Sequence, residues 1–503
     1  MKRRLCFTIN KILLLLFLFP GFISCKRSLD LKPVSVLSTG NAYNSAQDIE
    51  NALVGAYSIF YQEYYIWDNV LLGDVRSDNA YVGGGGDPGV VPYDLVTISA
   101  GNDRMYADWS QLYTGIGRCN VLLSKIDGIN DPAFADRKKQ IIGEASFLRA
   151  FHYYQLVKTF GGVPLELLSN SADPAKTRLP RSSEKEVYDQ IAADLAVAVE
   201  NLPDSYDSGD PSVNKVRATR GAANALLAKI WAQRGDRDYN KVLQYCNDVI
   251  NSPAGYQLVA DYGELFDGSH YDNSEAILEV PFIAGTDLGN WGPQMFLAPE
   301  DGWQKYCVPS KDLIDDYDHE NDVVRKQANI IFMDDVPWAD ENWNPCQVNT
   351  DSIPFNYKQK HPDNWASGDY YYLLRLADII LLKAEAQNEL GDPDGAVQTL
   401  HQIRARVNLP DIASASKEVL RDKILNERRL ELAFEAQRWD DLVRLNQCTT
   451  VMNNLQEVKY TCNNGLPGAP IPISYNVTDQ KWLCPIPQLE IDANPNLVQN
   501  PGF

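Results

Sequence analysis

Two stretches of the chain, residues 217–251 and 375–410, repeat one design that limits what the whole can become. "RATRGAANALLAKIWAQRGDRDYNKVLQYCNDVIN" and "RLADIILLKAEAQNELGDPDGAVQTLHQIRARVNLP" each read as an apolar helical stripe, a break at Gly-Asp, and a second stripe. The breaks fall at Gly235-Asp236 and Gly391-Asp392, and the small residues Ala222, Ala225 and Ala228, or Ala377, Ala384 and Ala386, let two helices approach closely. A two-helix unit of this size cannot bury its apolar face alone, so it must stack on a neighbour.

The spacing is that of tetratricopeptide repeats, and the remaining helices supply further partners. "AQDIENALVGAYSIFYQ" sets Ile49, Leu53, Ala56 and Phe60 on one stripe, and "YADWSQLYTGIGRCNVLLSKID" does the same with Trp109, Leu112 and Ile116. "GEASFLRAFHYYQLVKTFGG" stops at Gly161-Gly162, "EKEVYDQIAADLAVAVENLP" stops at Pro203, and "KEVLRDKILNERRLELAFEAQRWDDLVRL" closes the helical set. The expected fold is mostly α, with about four tetratricopeptide-like helix pairs. Long irregular insertions at roughly 63–105, 162–183, 252–370 and 447–503 are too long for mere connections and are expected to form a ligand-binding face.

The chain begins with Lys2, Arg3, Arg4 and Lys11, an apolar run from Ile12 to Phe19, and then Pro20-Gly21. That is the length of a signal peptide and too short to span a bilayer. Phe22, Ile23 and Ser24 before Cys25 resemble a bacterial lipobox, so residues 1–24 are expected to be a signal peptide and Cys25 the lipidated amino terminus of the mature chain. Three acyl chains at ~0.8 kcal/mol per buried methylene make a durable anchor.

Removing the four leader cations from 46, with all 67 acids kept, leaves the mature chain at a net charge of −25. Such a chain repels phosphate backbones, and nucleic acid is not an expected partner. Seven cysteines remain after Cys6 and Cys25, an odd number without a repeated spacing; Cys448 with Cys462 is the pair most worth testing as a disulfide. No CxxC, HExxH or GxSxG occurs, and the five histidines are not at metal-ligand spacing, so neither a metal nor another cofactor is expected. Glu427, Glu431 and Glu435 share a helical face, as paired carboxylates do in glycosidases, but Arg428, Arg429 and Arg438 lie among them. Guanidinium groups lower a carboxyl pKa, the wrong direction for a general acid, so an ion-paired structural helix is expected and catalysis is not. "DLIDDYDHENDVV" lacks the glycine and ligand order of an EF-hand loop and reads as a solvated acidic face.

Five blocks carry a family resemblance: "SCKRSLDLKPVS", "FLRAFHYYQLVKTFGGVPL", "RLADIILLKAEAQNELG", "RRLELAFEAQRWDDLVR" and the terminal "PIPQLEIDANPNLVQNPGF". In this order they resemble the SusD/RagB family of outer-membrane nutrient-binding lipoproteins, from the mature start to the last residue. The resemblance implies one SusD-like domain over 25–503, with an N-terminal part to about 230 and a loop-rich C-terminal part from about 250. It implies a non-catalytic binder of oligosaccharides that caps a SusC-like TonB-dependent transporter, lipid-anchored in the outer membrane and facing outward. A peptide ligand, as in some relatives, is the alternative, and a lipid-anchored glycoside hydrolase or lyase a more distant one.

A sugar ring offers C–H groups on its face and hydroxyls on its rim, so aromatic side chains with polar neighbours are the residue types to seek. The chain has ten Trp and 26 Tyr, and half of the Trp fall in the 252–370 interval. The candidate ligand-binding residues are Asp74, Arg76, Asp78, Asn79 and Tyr81 of "LLGDVRSDNAYVGGGG", Asn102 and Tyr106 of "GNDRMYADW", and Trp291, Trp303 and Tyr306. Trp343 and Trp365 equally suit loop packing, whereas Trp109, Trp231 and Trp439 sit on helical stripes and are expected in the core.

Overall fold

A computed structural model describes residues 43–83, 87–169, 178–206, 210, 212–297, 304–334, 340–343, 346 and 352–503. Cys25, Trp303 and Trp338 lie outside the described residues.

The principal helices are α1 (Ala46–Tyr57), α2 (Asp103–Lys125), α3 (Ala135–Phe160), α4 (Glu184–Asn201), α5 (Arg220–Gln233), α6 (Tyr239–Ile250), α7 (Lys311–Glu320), α8 (Leu376–Glu389), α9 (Pro393–Arg406), α10 (Lys417–Leu432) and α11 (Arg438–Arg444). Most begin where the sequence supplies a cap or a pre-set φ; α3, α8 and α11 start without a side-chain cap. Ser45 with Asp48 and Ser183 with Glu186 form capping boxes for α1 and α4, and Asp392 caps α9 with Pro393 at its first position. The helices stack in chain order: α1 on α2, α2 on α3, α3 on α4, α4 on α5 and α5 on α6. After the long insertion, α8 packs on α6 as though no residues intervened, and then carries α9 and α10. The paired architecture read from the two Gly-Asp breaks is therefore present, with turns at Arg234–Asp238 and Leu390–Asp392.

The stripes point inward as their spacing requires. Ile49, Leu53, Ala56 and Phe60 are buried, as are Trp109 and Trp439; each fully buried large apolar side chain contributes about 1.5–3 kcal/mol of transfer free energy. Trp231 departs from expectation: it is half-buried and lies between the Arg234 guanidinium, 4.2 Å from its ring centroid, and the Lys241 ammonium at 3.5 Å. Its flat faces attract cations at the rim of the stack.

Two recurring sequence blocks turn out to hold one another. Asn500 donates from Nδ2 to the carbonyls of Phe160 (3.0 Å) and Cys484 (2.7 Å), and Arg181 donates to Phe160 O, Gly162 O and Asn500 Oδ1. The chain terminus thus supplies donors to the carbonyls that α3 leaves unsatisfied at its C-terminal end.

The 252–370 interval is not wholly irregular. It contributes β2 (Ala276–Val280), antiparallel to β6 (Tyr371–Arg375), and β4 (Ile330–Met333), antiparallel to β5 (Ile353–Asn356), while β3 (Val308–Pro309) pairs with β1 (Ala80–Tyr81). The "DLIDDYDHE" stretch is α7, and it is less solvated than its composition suggests: Asp312 and Asp316 both pair with Arg429. The 63–105 interval likewise opens with helix, since Tyr64–Asp68 and Leu71–Val75 are π-helical and buried throughout. Such wide turns are rare in helices and cluster at functional sites.

Candidate functional site

Most of the first polar cluster faces the interior, which corrects its reading as ligand-binding. Asp74, Arg76, Asp78, Asn79 and Tyr81 are each no more than 3 % exposed. The Asp74 carboxylate accepts the backbone N–H groups of Phe434 (2.9 Å) and Ala436 (2.7 Å) and the Asn79 amide (2.8 Å). Burial lifts its pKa to about 6 against those bonds. Asp78 takes Arg438 through both oxygens and also meets Arg429. Burial opposes its charge, yet the two guanidinium groups outweigh that cost and hold the carboxyl at about 2. Arg76 lies 4.2 Å from the Trp439 ring centroid and donates to Cys484 Sγ, and Tyr81 donates to Asp340 (3.0 Å). Asn102 is also structural: it caps α2, its Oδ1 accepting from Arg104 N–H, while its amide donates to Gly89 O.

Arg429 and Arg438 stand in the same block as the carboxylates Glu427, Glu431 and Glu435. Those carboxylates are ion-paired as expected: Glu427 with Arg325 and Arg404, Glu431 with Arg325, Arg375 and Arg406, and Glu435 with Arg375 and Lys358. Against the cost of burial, their cations hold Glu431 and Glu435 below the ordinary carboxylate range. A carboxyl held ionised in this way cannot donate a proton to a leaving group.

The aromatic candidates do assemble. Trp67, on the first π-helical turn, is a buried plate. Tyr306 stacks on it at 5.7 Å between centroids and 21° between planes, and Trp291 meets it edge-on at 6.3 Å and 63°. The Arg104 guanidinium lies 4.4 Å from the Trp67 centroid and is held there by Glu63 (2.7 Å) and Asp68 (3.4 Å), with Asp87 at 3.8 Å. Tyr106, two residues further along α2, is 38 % exposed. Beneath the plate, burial pushes Asp68 up to about 8, and burial with the neighbouring Asp68 charge raises Asp108 as well. Burial therefore opposes two negative charges side by side at Asp68 and Asp108.

Trp291 is half-buried rather than open, and Tyr306 is 7 % exposed. The more open ring nearby is Trp365, 44 % exposed, for which the sequence leaves loop packing and ligand contact equally open. It ends a run of three non-glycine residues with positive φ: Asp363 at 43°, Asn364 at 51° and Trp365 at 72°. Such backbone is costly and persists only where its surroundings fix it. The fixing bonds run between Asn290 and Ser367, 2.8 and 2.9 Å in the two directions, and from Gly285 N–H to Ala366 O. This antiparallel bridge places the Trp291 and Trp365 segments side by side. It requires glycine at 289, where a Cβ would sit 2.4 Å from Ala366 Cα. On the adjoining loop Tyr271 and Tyr370 stack at 4.0 Å and 15°. Trp67 escaped the sequence reading because it ends a short apolar run, Tyr64 to Trp67, that nothing distinguishes from core; its only signal was an indole beside Asp68.

Stacked helix pairs that carry aromatic rings on their insertions define a helical scaffold with a loop-built face. The chain belongs to the SusD/RagB family: residues 291–503 match the SusD family model, and residues 28–231 match a second model described as starch-binding associating with outer membrane. SusD-like protein P2 of Formosa agariphila is 27 % identical over 99 % of both chains. Among solved structures, a SusD-like protein of Bacteroides fragilis is 26 % identical with a TM-score of 0.74, covering 92 % of this chain and 98 % of its own. A laminarin-binding SusD-like protein is 25 % identical with a TM-score of 0.73, covering 92 % of this chain and all of its own.

Proposed function

We propose that this protein is a non-catalytic glycan-binding lipoprotein of the outer membrane, anchored through Cys25 and facing the cell exterior. It captures an oligosaccharide and passes it to a SusC-like TonB-dependent transporter. The observation that carries the reading is the shelf around Trp67: Trp291 and Tyr306 against the plate, Arg104 across it, and the exposed Trp365 on the segment bridged to that of Trp291.

A single ring contributes about 0.5–1.5 kcal/mol, whereas micromolar to millimolar affinity takes about 4–8 kcal/mol. Several rings with polar partners are therefore needed, and this shelf brings such groups together. Trp291 and Trp365 cover C–H faces, while the Asp87 carboxylate and the Arg104 guanidinium serve hydroxyls. The laminarin-binding relative supports carbohydrate as the ligand class. Among the described residues, no helix is long and apolar enough to cross a membrane, and attachment falls to the acyl chains on Cys25.

Affinity electrophoresis of the mature protein against a panel of soluble polysaccharides tests the reading. At least one should retard it, and Trp291→Ala and Trp365→Ala should each restore most of the mobility. Equal mobility of the wild type in every gel would refute glycan binding, and new reducing ends after incubation would refute the non-catalytic assignment.

A further inference from the structure

A second concavity lies away from the Trp67 shelf, where three distant segments meet. It encloses about 160 Å³ and is lined by Lys311 and Asp315 of α7, Asn342 and Trp343, and Asn454 and Gln456, with Tyr81 also on its wall. Trp343 forms a flat side: its ring packs edge-on to Phe332 at 6.5 Å and 80° and rests against Ile353 and Phe355. Its indole Nε1 is shielded from solvent and finds no acceptor among the described residues. A shielded donor is costly to leave without an acceptor, and a ligand oxygen is one that could supply it.

The walls are held in place before any ligand arrives. Cys346 and Cys462 are joined by a disulfide, Tyr460 N–H donates to Glu341 O at 2.8 Å, and Lys459 pairs with Glu341 at 3.6 Å. Tyr81 and Lys305 both bond Asp340, two residues before Asn342. Lys311 is the one cation on the wall, its ammonium 4.9 Å from the Trp343 centroid; of the acids, Asp312 pairs with Arg429 and Glu457 accepts from the Tyr475 hydroxyl, which leaves Asp315 towards the hollow. A flat indole, a shielded donor, amide side chains and a carboxylate acceptor around the hollow suit an uncharged, hydroxyl-rimmed ring.

We propose that this hollow is a second carbohydrate subsite, which takes one neutral pyranose unit against the face of Trp343 with Asn342, Asn454 and Asp315 around its rim. The inference rests on the glycan reading above and adds a site to it. Its ligand is the same class of molecule, held at a point that the Trp67 shelf does not reach.

The test uses the mature protein on gels of laminarin, starch and further soluble polysaccharides, with Trp343→Ala, Asn342→Ala and Trp291→Ala. Asn342→Ala and Trp343→Phe guard against a folding defect, and circular dichroism and melting temperature are recorded for all. On a polysaccharide that retards the wild type, Trp343→Ala is expected to weaken retardation by about threefold to tenfold. Asn342→Ala should weaken it by a smaller factor, and Trp343→Ala with Trp291→Ala should exceed either alone. Wild-type retardation in both Trp343→Ala and Asn342→Ala, on a gel where Trp291→Ala loses it, overturns the subsite and leaves the shelf standing. A wild type that no gel retards overturns the glycan reading and the subsite with it.

Discussion

Asp78 and Arg438, 360 positions apart, meet in a bidentate ion pair with both contacts at 2.7 Å, and neither side chain is more than 7 % exposed. Arg429 closes on the same carboxylate at 3.2 Å. The pair fastens the segment after the π-helical turns to the C-terminal block, so the two are held by an ionic joint rather than an apolar one.

Removing one partner of a buried pair strands the other charge, at about 3–5 kcal/mol. Asp78→Ala should therefore lower the free energy of unfolding by that amount in urea titration. Because neither residue belongs to the shelf around Trp67, the folded fraction should keep its polysaccharide mobility at low temperature. A loss under 1 kcal/mol would show that the pair does not bear on stability.

Gly73 predicts a steric effect at the same joint. A Cβ there would sit 2.4 Å from both the Ala436 carbonyl carbon and Cα, inside the turn whose positive-φ residues Phe434 and Ala436 bond Asp74. Gly73→Ala should destabilise by about 1–3 kcal/mol, the usual cost of overpacking, although alanine is the better helix former. An unchanged or raised melting temperature would contradict the close approach.

The cysteines give a count. Cys346 pairs with Cys462, which corrects the expectation for Cys448: that thiol is buried and free, as are Cys119, Cys246, Cys307 and Cys484. The chain from residue 26 should yield five thiols to Ellman's reagent in guanidinium without reductant, and almost none when native. Cys462→Ser should cost about 2–4 kcal/mol by freeing a long loop in the unfolded chain. Seven thiols on unfolding would rule the bond out.

Stability should peak on the acid side of neutrality. Asp78, held at about 2 against ~3.9 when unfolded, contributes stability that is present above pH 4 and lost as pH falls towards 2. Burial has the opposite effect on Asp68 and Glu457, raised to about 8 and about 7. The folded state holds those protons more tightly than the unfolded chain does, so their contribution is full below about pH 4 and lost as pH rises through 7 to 8. The melting temperature, followed by calorimetry from pH 3 to 9, should be highest near pH 4–6. A curve still rising between pH 6 and 8 would contradict this.

The aromatic candidates divide by how much context each needed. Trp291 and Tyr306 were visible as rings among glycine, proline and acids, and both meet Trp67. Trp365 stayed open between packing and contact because nothing in "HPDNWASG" announces three left-handed residues beside the Asn290–Ser367 bridge. The polar run from Asp74 to Asn79 had the composition of a binding loop, and only its partners at 429–438 reveal its burial.

What the sequence determined by itself is the set of helices and their pairing. Apolar period, capping residues and Gly-Asp breaks act over a few neighbouring positions, and each physical cause lies beside its effect. The tertiary structure alone decided which polar groups face inward and which rings face out. Burial of a charge depends on a counter-charge hundreds of residues away, and exposure of a ring depends on which loop fixes its backbone.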